Sequence, residues 1–134
     1  MMIETVSVFK LAEFSDFQPD AFKRKFGVDL TLEGVFAAIP QDYIVELNRT
    51  TDYHLGRIRF LIENPDDEPI EIDSFCEGGR VFLEPILLDG NHRYFAALLS
   101  GQETIPCIFA GQTSLLSHLK TGLVDIARGY SSWI

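Results

Sequence analysis

Cysteine is nearly missing from this chain: Cys76 and Cys107 are the only two among 134 residues. They form no CxxC pair, which excludes the thiolate zinc motifs. Their spacing does not say whether they pair, and reduced thiols in a cytoplasmic protein are the expectation. Basic residues are also scarce, with 11 Lys and Arg against 20 Asp and Glu and a net charge of −9. A generic nucleic-acid surface draws most of its non-specific affinity from neutralised phosphates, so this balance argues against one. No apolar run approaches the roughly 18 residues that bridge a bilayer. Met1-Met2-Ile3-Glu4 has no basic n-region, so no secretory signal is expected. His54 and His118 have no partners at metal-ligand spacing, and a zinc site is not expected. Gly-x-Ser-x-Gly, Walker and Gly-x-Gly-x-x-Gly motifs are absent.

What the chain does have is core material. Hydrophobic residues make up 46% and Phe occurs 11 times, enough for one densely packed domain over residues 1–134. Residues 2–10 alternate loosely, as a strand would. Pro19–Phe26 reads as a short helix ended by Gly27, with Lys23-Arg24-Lys25 on its wet face. Thr31 can cap a helix over Leu32–Ala38, which Pro40 stops. Tyr43–Leu47 is a strand candidate. Thr51 or Asp52 can cap a helix carrying Leu55, Ile58, Leu61 and Ile62 that ends before Pro65. Ile70–Phe75 reads as a strand, Glu77-Gly78-Gly79 as a hairpin turn, and Arg80–Leu83 as the returning strand. Ile105–Phe109 is a short apolar strand. Thr113 or Ser114 caps a last helix that Gly122 ends, and the apolar tail to Trp133-Ile134 packs down. Without strict βαβ alternation, these elements predict a compact α+β domain on a mixed sheet. Cys76 and Cys107 fall in predicted strands, where inert core thiols are expected. Seven acids and no base lie between Glu63 and Glu77. They read as a solvated loop and edge strand, or as a docking surface for a basic partner or a mimic of DNA charge.

The most informative stretch is Pro85–Gly101. An apolar run, Ile86–Leu88, reads as a buried strand; Asp89-Gly90-Asn91 breaks it; a helix follows, with Phe95, Leu98 and Leu99 on one stripe and Gly101 as its stop. Gly90 allows positive φ, and Asp89 or Asn91 can cap the helix. His92 and Arg93 then sit at a helix N-terminus, where free N–H groups and the dipole favour an anion. An Arg fork and an imidazole complete a phosphate cradle. The competing reading is an ordinary strand–turn–helix with Asp89 capping and Arg93 salt-bridged.

Asp89-Gly90-Asn91-His92-Arg93, followed by Gln102-Glu103-Thr104-Ile105-Pro106, resembles the ParB/sulfiredoxin-like superfamily. Glu63-Asn64-Pro65-Asp66, Pro69-Ile70-Glu71-Ile72 and Gln112-Thr113-Ser114 are similar to its flanking elements. The likeness covers residues 42–122. It leaves 1–41 as an added N-terminal helical segment and 123–134 as a tail.

The resemblance implies that Gly90, Asn91, His92 and Arg93 hold the phosphates of a nucleotide (ATP, ADP or CTP, with Mg²⁺), and that Arg57 substitutes for the helix Lys of sulfiredoxins. It implies a phosphotransferase or nucleotide hydrolase, for which Asp89, Glu46 and Asp52 are the candidate acids. Asn91 stands where sulfiredoxins carry their reactive Cys, so sulfinic-acid reduction is not expected. The residues after the matched region are too few for the DNA reader of ParB proteins, so centromere binding is not expected, and nuclease activity is the least favoured. The alternative from another class is an inactive acidic interaction module of a mobile element or toxin-type system, with a basic protein partner at 63–77.

Overall fold

The computed structural model describes residues 2–121 and the backbone of 131–133. In chain order the elements are β1 (Ile3–Ser7), α1 (Val8–Leu11), a 3-10 turn (Ser15–Phe17), α2 (Pro19–Phe26), α3 (Leu32–Ala37) and α4 (Thr51–Glu63). Then come β2 (Ile70–Glu77), β3 (Arg80–Asp89), α5 (Asn91–Leu99), β4 (Thr104–Phe109), α6 (Thr113–Thr121) and β5 (Ser131–Trp133). The domain is α+β, on a mixed sheet of order β1-β4-β2-β3-β5.

The hairpin β2–β3 organises the sheet. Gly78 and Gly79 both take positive φ, 58° and 78°, the geometry whose twist matches two antiparallel strands. Pro85, which has no N–H to donate, faces Ser74 beside a register shift. The far side of β2 pairs in parallel with β4. The acidic region therefore continues into a central strand, not an edge strand. Its alternation follows from this: Ile70, Ile72 and Ser74 point into the core.

Residues 2–10 do not form one strand. Ser7 caps α1 by accepting the N–H of Lys10, so the chain turns into a helix at Val8. The N-terminal segment carries α1, α2 and α3, and it also supplies a strand to the sheet. β1 pairs antiparallel with β4 and forms the edge of the sheet. Phe17 and Phe22 are fully buried, with ring centres 5.0 Å from Tyr94 and 5.4 Å from Phe95, so this segment fills the core beneath α5. The Asp16 carboxylate accepts the Leu87 N–H at 2.6 Å and the Lys25 ammonium at 3.2 Å, which ties the same segment to β3.

Other expectations need correcting. Tyr43–Leu47 forms no strand and pairs with none of the five strands. The cap of α4 is Thr50, whose hydroxyl accepts the Tyr53 N–H, not Thr51 or Asp52. Cys76 is exposed near the hairpin tip; Cys107 is buried, which pushes its thiol up to about 12, with Glu4 adding to the shift and Lys120 opposing it. Leu87 is buried, but Leu88 is exposed. The end of α6 at Gly122 and the packing of the tail side chains lie outside the described residues. Among the described residues no helix is long and apolar enough to cross a membrane.

Gly90 and Gly101 separate two costs of adding a Cβ. Both have positive φ, 92° and 76°, but only at Gly90 would the Cβ meet backbone, 3.1 Å from Ile70 Cα and 2.6 Å from its Cγ2. Gly101→Ala is expected to cost about 1 kcal/mol from φ alone. Gly90→Ala should cost about 1–3 kcal/mol more from overpacking. Urea unfolding of the two variants checks the order, and equal losses would contradict it.

Candidate functional site

β3 ends at Asp89, and α5 begins two residues later because Gly90 alone makes the turn, at φ 92° and ψ 27°. Gly90 is the N-cap, and neither Asp89 nor Asn91 caps the helix with its side chain. Asp89 Oδ1 instead accepts the Gly90 N–H at 2.9 Å. Asn91 Oδ1 accepts from Lys25 Nζ at 3.0 Å, and the same ammonium reaches the Leu87 carbonyl at 3.4 Å. The first turn of α5 thus keeps its positive dipole end without a side-chain acceptor.

A cavity of about 160 Å³ opens at this turn. Gly90, Asn91, His92 and Arg93 line it from α5, and Asp89 from the end of β3. Tyr53 and Arg57 line it from α4, with Arg49 and Ile44 from the preceding segment. Three guanidiniums therefore converge on one small cavity in a chain of net charge −9.

The three are held differently. Arg93 is the most committed: its Nε donates to Asp66 Oδ1 at 2.9 Å and its NH2 to Glu68 Oε2 at 3.0 Å. Two of the three nitrogens of the fork expected to grip phosphate are thus already engaged by the acidic loop. Arg57 donates one N–H to the Gln41 carbonyl at 3.1 Å and lies 5.4 Å from the Phe60 ring centre. Arg49 donates its Nε to the Val45 carbonyl. Among the described residues neither Arg49 nor Arg57 forms an ion pair.

His92 does not extend a proton into the cavity as a cation. Its Nε2 lies 2.9 Å from Nδ1 of His54, with the rings parallel within 6°. Phe22, Phe26 and Tyr53 surround the pair. Burial, then His54 and the arginines Arg49, Arg57 and Arg93, pushes His92 down to about 3. Burial and Arg49 also lower His54. At neutral pH both rings are neutral, one donating to the other.

Of the three candidate acids, Asp89 lines the cavity; Glu46 and Asp52 are exposed and do not. Gly90, Asn91, His92, Arg93 and Arg57 are all brought together. The sequence reading missed Arg49, Tyr53 and the role of His54. The spacing of Tyr53 and Arg57, one helical turn apart on α4, places them on one face, and that signal was available. Among the described residues no three His, Cys, Asp or Glu side chains gather as a metal site. The donor set at the cavity, three guanidiniums and one carboxylate, fits an anion rather than a protein-held Mg²⁺. Comparison with known protein families, curated proteins and solved structures finds no match.

The histidine pair predicts a pH dependence. Both pKa values are lowered by folding from 6.5, so the unfolded chain takes up protons first as pH falls. Stability is fully present above pH 6.5 and is lost on acidification towards about 3. The His92 share between pH 7 and pH 5 is ~1–2 kcal/mol. Urea midpoints at these two pH values should move further in wild type than in His92→Gln, which keeps a hydrogen-bonding partner for His54. Identical movement would remove His92 from the account.

Proposed function

We propose that this protein binds a phosphorylated small molecule at the cavity beside the N-terminus of α5, as a ParB/sulfiredoxin-like domain would. One observation carries the reading: Arg49 and Arg57 line a small cavity, each donates to a backbone carbonyl, and among the described residues neither charge is neutralised by a carboxylate. The order β3, Gly90 turn, α5, β4 agrees with the order of elements that the resemblance implies. Nucleotides (ATP, ADP or CTP) are the class it points to, and Mg²⁺ would arrive bound to their phosphates. For phosphoryl transfer or hydrolysis, Asp89 is the candidate acid we favour, because it lines the cavity and Glu46 and Asp52 do not.

The interaction-module reading has support from a different place than the acidic loop. Asp66 and Glu68 are engaged by Arg93. Ile39, Tyr43, Ile44 and Leu47 are instead exposed apolar side chains close together in the chain, of the kind that marks contact surfaces.

Thermal shift and titration calorimetry with phosphate, pyrophosphate, ATP, ADP and CTP, with and without Mg²⁺, test the first reading. Binding should weaken roughly ten- to a hundredfold in Arg57→Gln and in Arg49→Gln, since a charge-assisted hydrogen bond contributes about 1.5–3 kcal/mol. Binding by none of them, or equal binding by folded variants, would overturn it and leave the interaction module.

A further inference from the structure

Three features of the cavity narrow the ligand. The first is size. Pockets that enclose a drug-sized ligand hold roughly 300–1,000 Å³, whereas this one holds about 160 Å³. A head group enters and the rest of the molecule stays outside.

The second is charge. Of the three guanidiniums, Arg93 already directs its Nε and Nη2 at Asp66 and Glu68. Among the described residues Arg49 and Arg57 are the two that carry no carboxylate partner. A chain of phosphates would bring charge towards Asp66 and Glu68, whose repulsion it would have to overcome before it reached Arg93. A single phosphate meets two arginines and the first turn of α5 without that penalty.

The third is the surface at the mouth. Ile44 lines the cavity yet is 68% exposed, and its neighbour Tyr43 is 57% exposed. The Tyr43 ring centre lies 6.5 Å from that of Tyr53, which lines the cavity, and the Tyr53 hydroxyl accepts the Val45 N–H at 3.1 Å. The apolar surface is thus tied to the wall of the cationic cavity and continuous with it. Leaving such side chains in water has a cost that a flat apolar body removes.

Resting on the phosphate reading above, and narrowing it from the nucleotide di- and triphosphates to ligands with one phosphate, we infer that the ligand is a phosphomonoester: one phosphate against Arg49 and Arg57, and a flat apolar body outside the cavity on Tyr43 and Ile44. The acidic loop acts as the specificity element, because it withholds Arg93 from longer phosphate chains.

The test is calorimetry on the full chain with inorganic phosphate, 1-naphthyl phosphate, AMP and ATP. Naphthyl phosphate should bind at least tenfold more tightly than inorganic phosphate, and Tyr43→Ser should shrink that ratio. ATP should bind no more tightly than AMP to wild type. In the double variant Asp66→Asn, Glu68→Gln, which frees Arg93, ATP should gain about tenfold over AMP. If phosphate binds but naphthyl phosphate binds no better, or if wild type prefers ATP to AMP, the inference is overturned and the phosphate site stands. If none of the four binds, both readings fall together.

Discussion

The absence of a side chain at residue 90 is the constraint on which the site depends. Gly90 lies against Ile70 so closely that any Cβ would have to displace the start of β2. This contact sets how near α5 sits to the sheet and where its first turn points. Three consecutive residues then reach three separate segments: Asn91 to Lys25 of α2, His92 to His54 of α4, and Arg93 to the loop before β2. A displaced helix could not keep all three, because they point in different directions. One backbone contact therefore fixes a junction of four parts of the chain.

Charge at that junction runs opposite to charge over the whole molecule. Most of the acids are at the surface, seven of them between Glu63 and Glu77, where water and salt weaken them. The arginines are gathered at a concavity, where their fields overlap. His54 and His92 register the result. Burial disfavours their charged forms, the guanidiniums add to that, and the imidazoles remain neutral partners of one another. Arg93 escapes the mutual repulsion by pairing with Asp66 and Glu68, so part of the acidic stretch is an internal counterion.

Local rules made much of the fold legible. Pro19 at the start and Gly27 at the end bound α2, and Thr31 caps α3, as their side chains and φ preferences dictate. Gly78-Gly79 marks the hairpin for the same reason. What was not legible depends on partners distant in sequence. Tyr43–Leu47 has the residue types of a strand, but its Val45 bonds to Tyr53 and Arg49 side chains instead of to another strand. Residues 3–7 become a strand because β4 is available a hundred residues later. Thr50, Thr51 and Asp52 are all capping residue types, and the cap is the first of them. In the site, the Gly90 turn and its flanking residues could be read from sequence. The His54–His92 pair, 38 residues apart, could not. A salt-bridged Arg93 was one of the two readings of the turn, but its partners, Asp66 and Glu68, could not be named, since they lie more than twenty residues away.

The distinction between an ion-pair network and an anion site lies in what holds the arginines. A guanidinium paired to carboxylates is oriented and neutralised together, and an incoming anion must displace its partners. A guanidinium held by a peptide carbonyl is oriented by one N–H while its charge and remaining donors stay available. Arg93 is of the first kind; Arg49 and Arg57 are of the second. The segment that supplies those carbonyls, Gln41 and Val45, has no regular structure, and Tyr53 ties it to α4 through the Val45 N–H. Its failure to form a strand is thus part of how the site is built. A strand would commit its carbonyls to a neighbour, whereas this loop presents them to two arginines and leaves Tyr43 and Ile44 facing water at the mouth of the cavity.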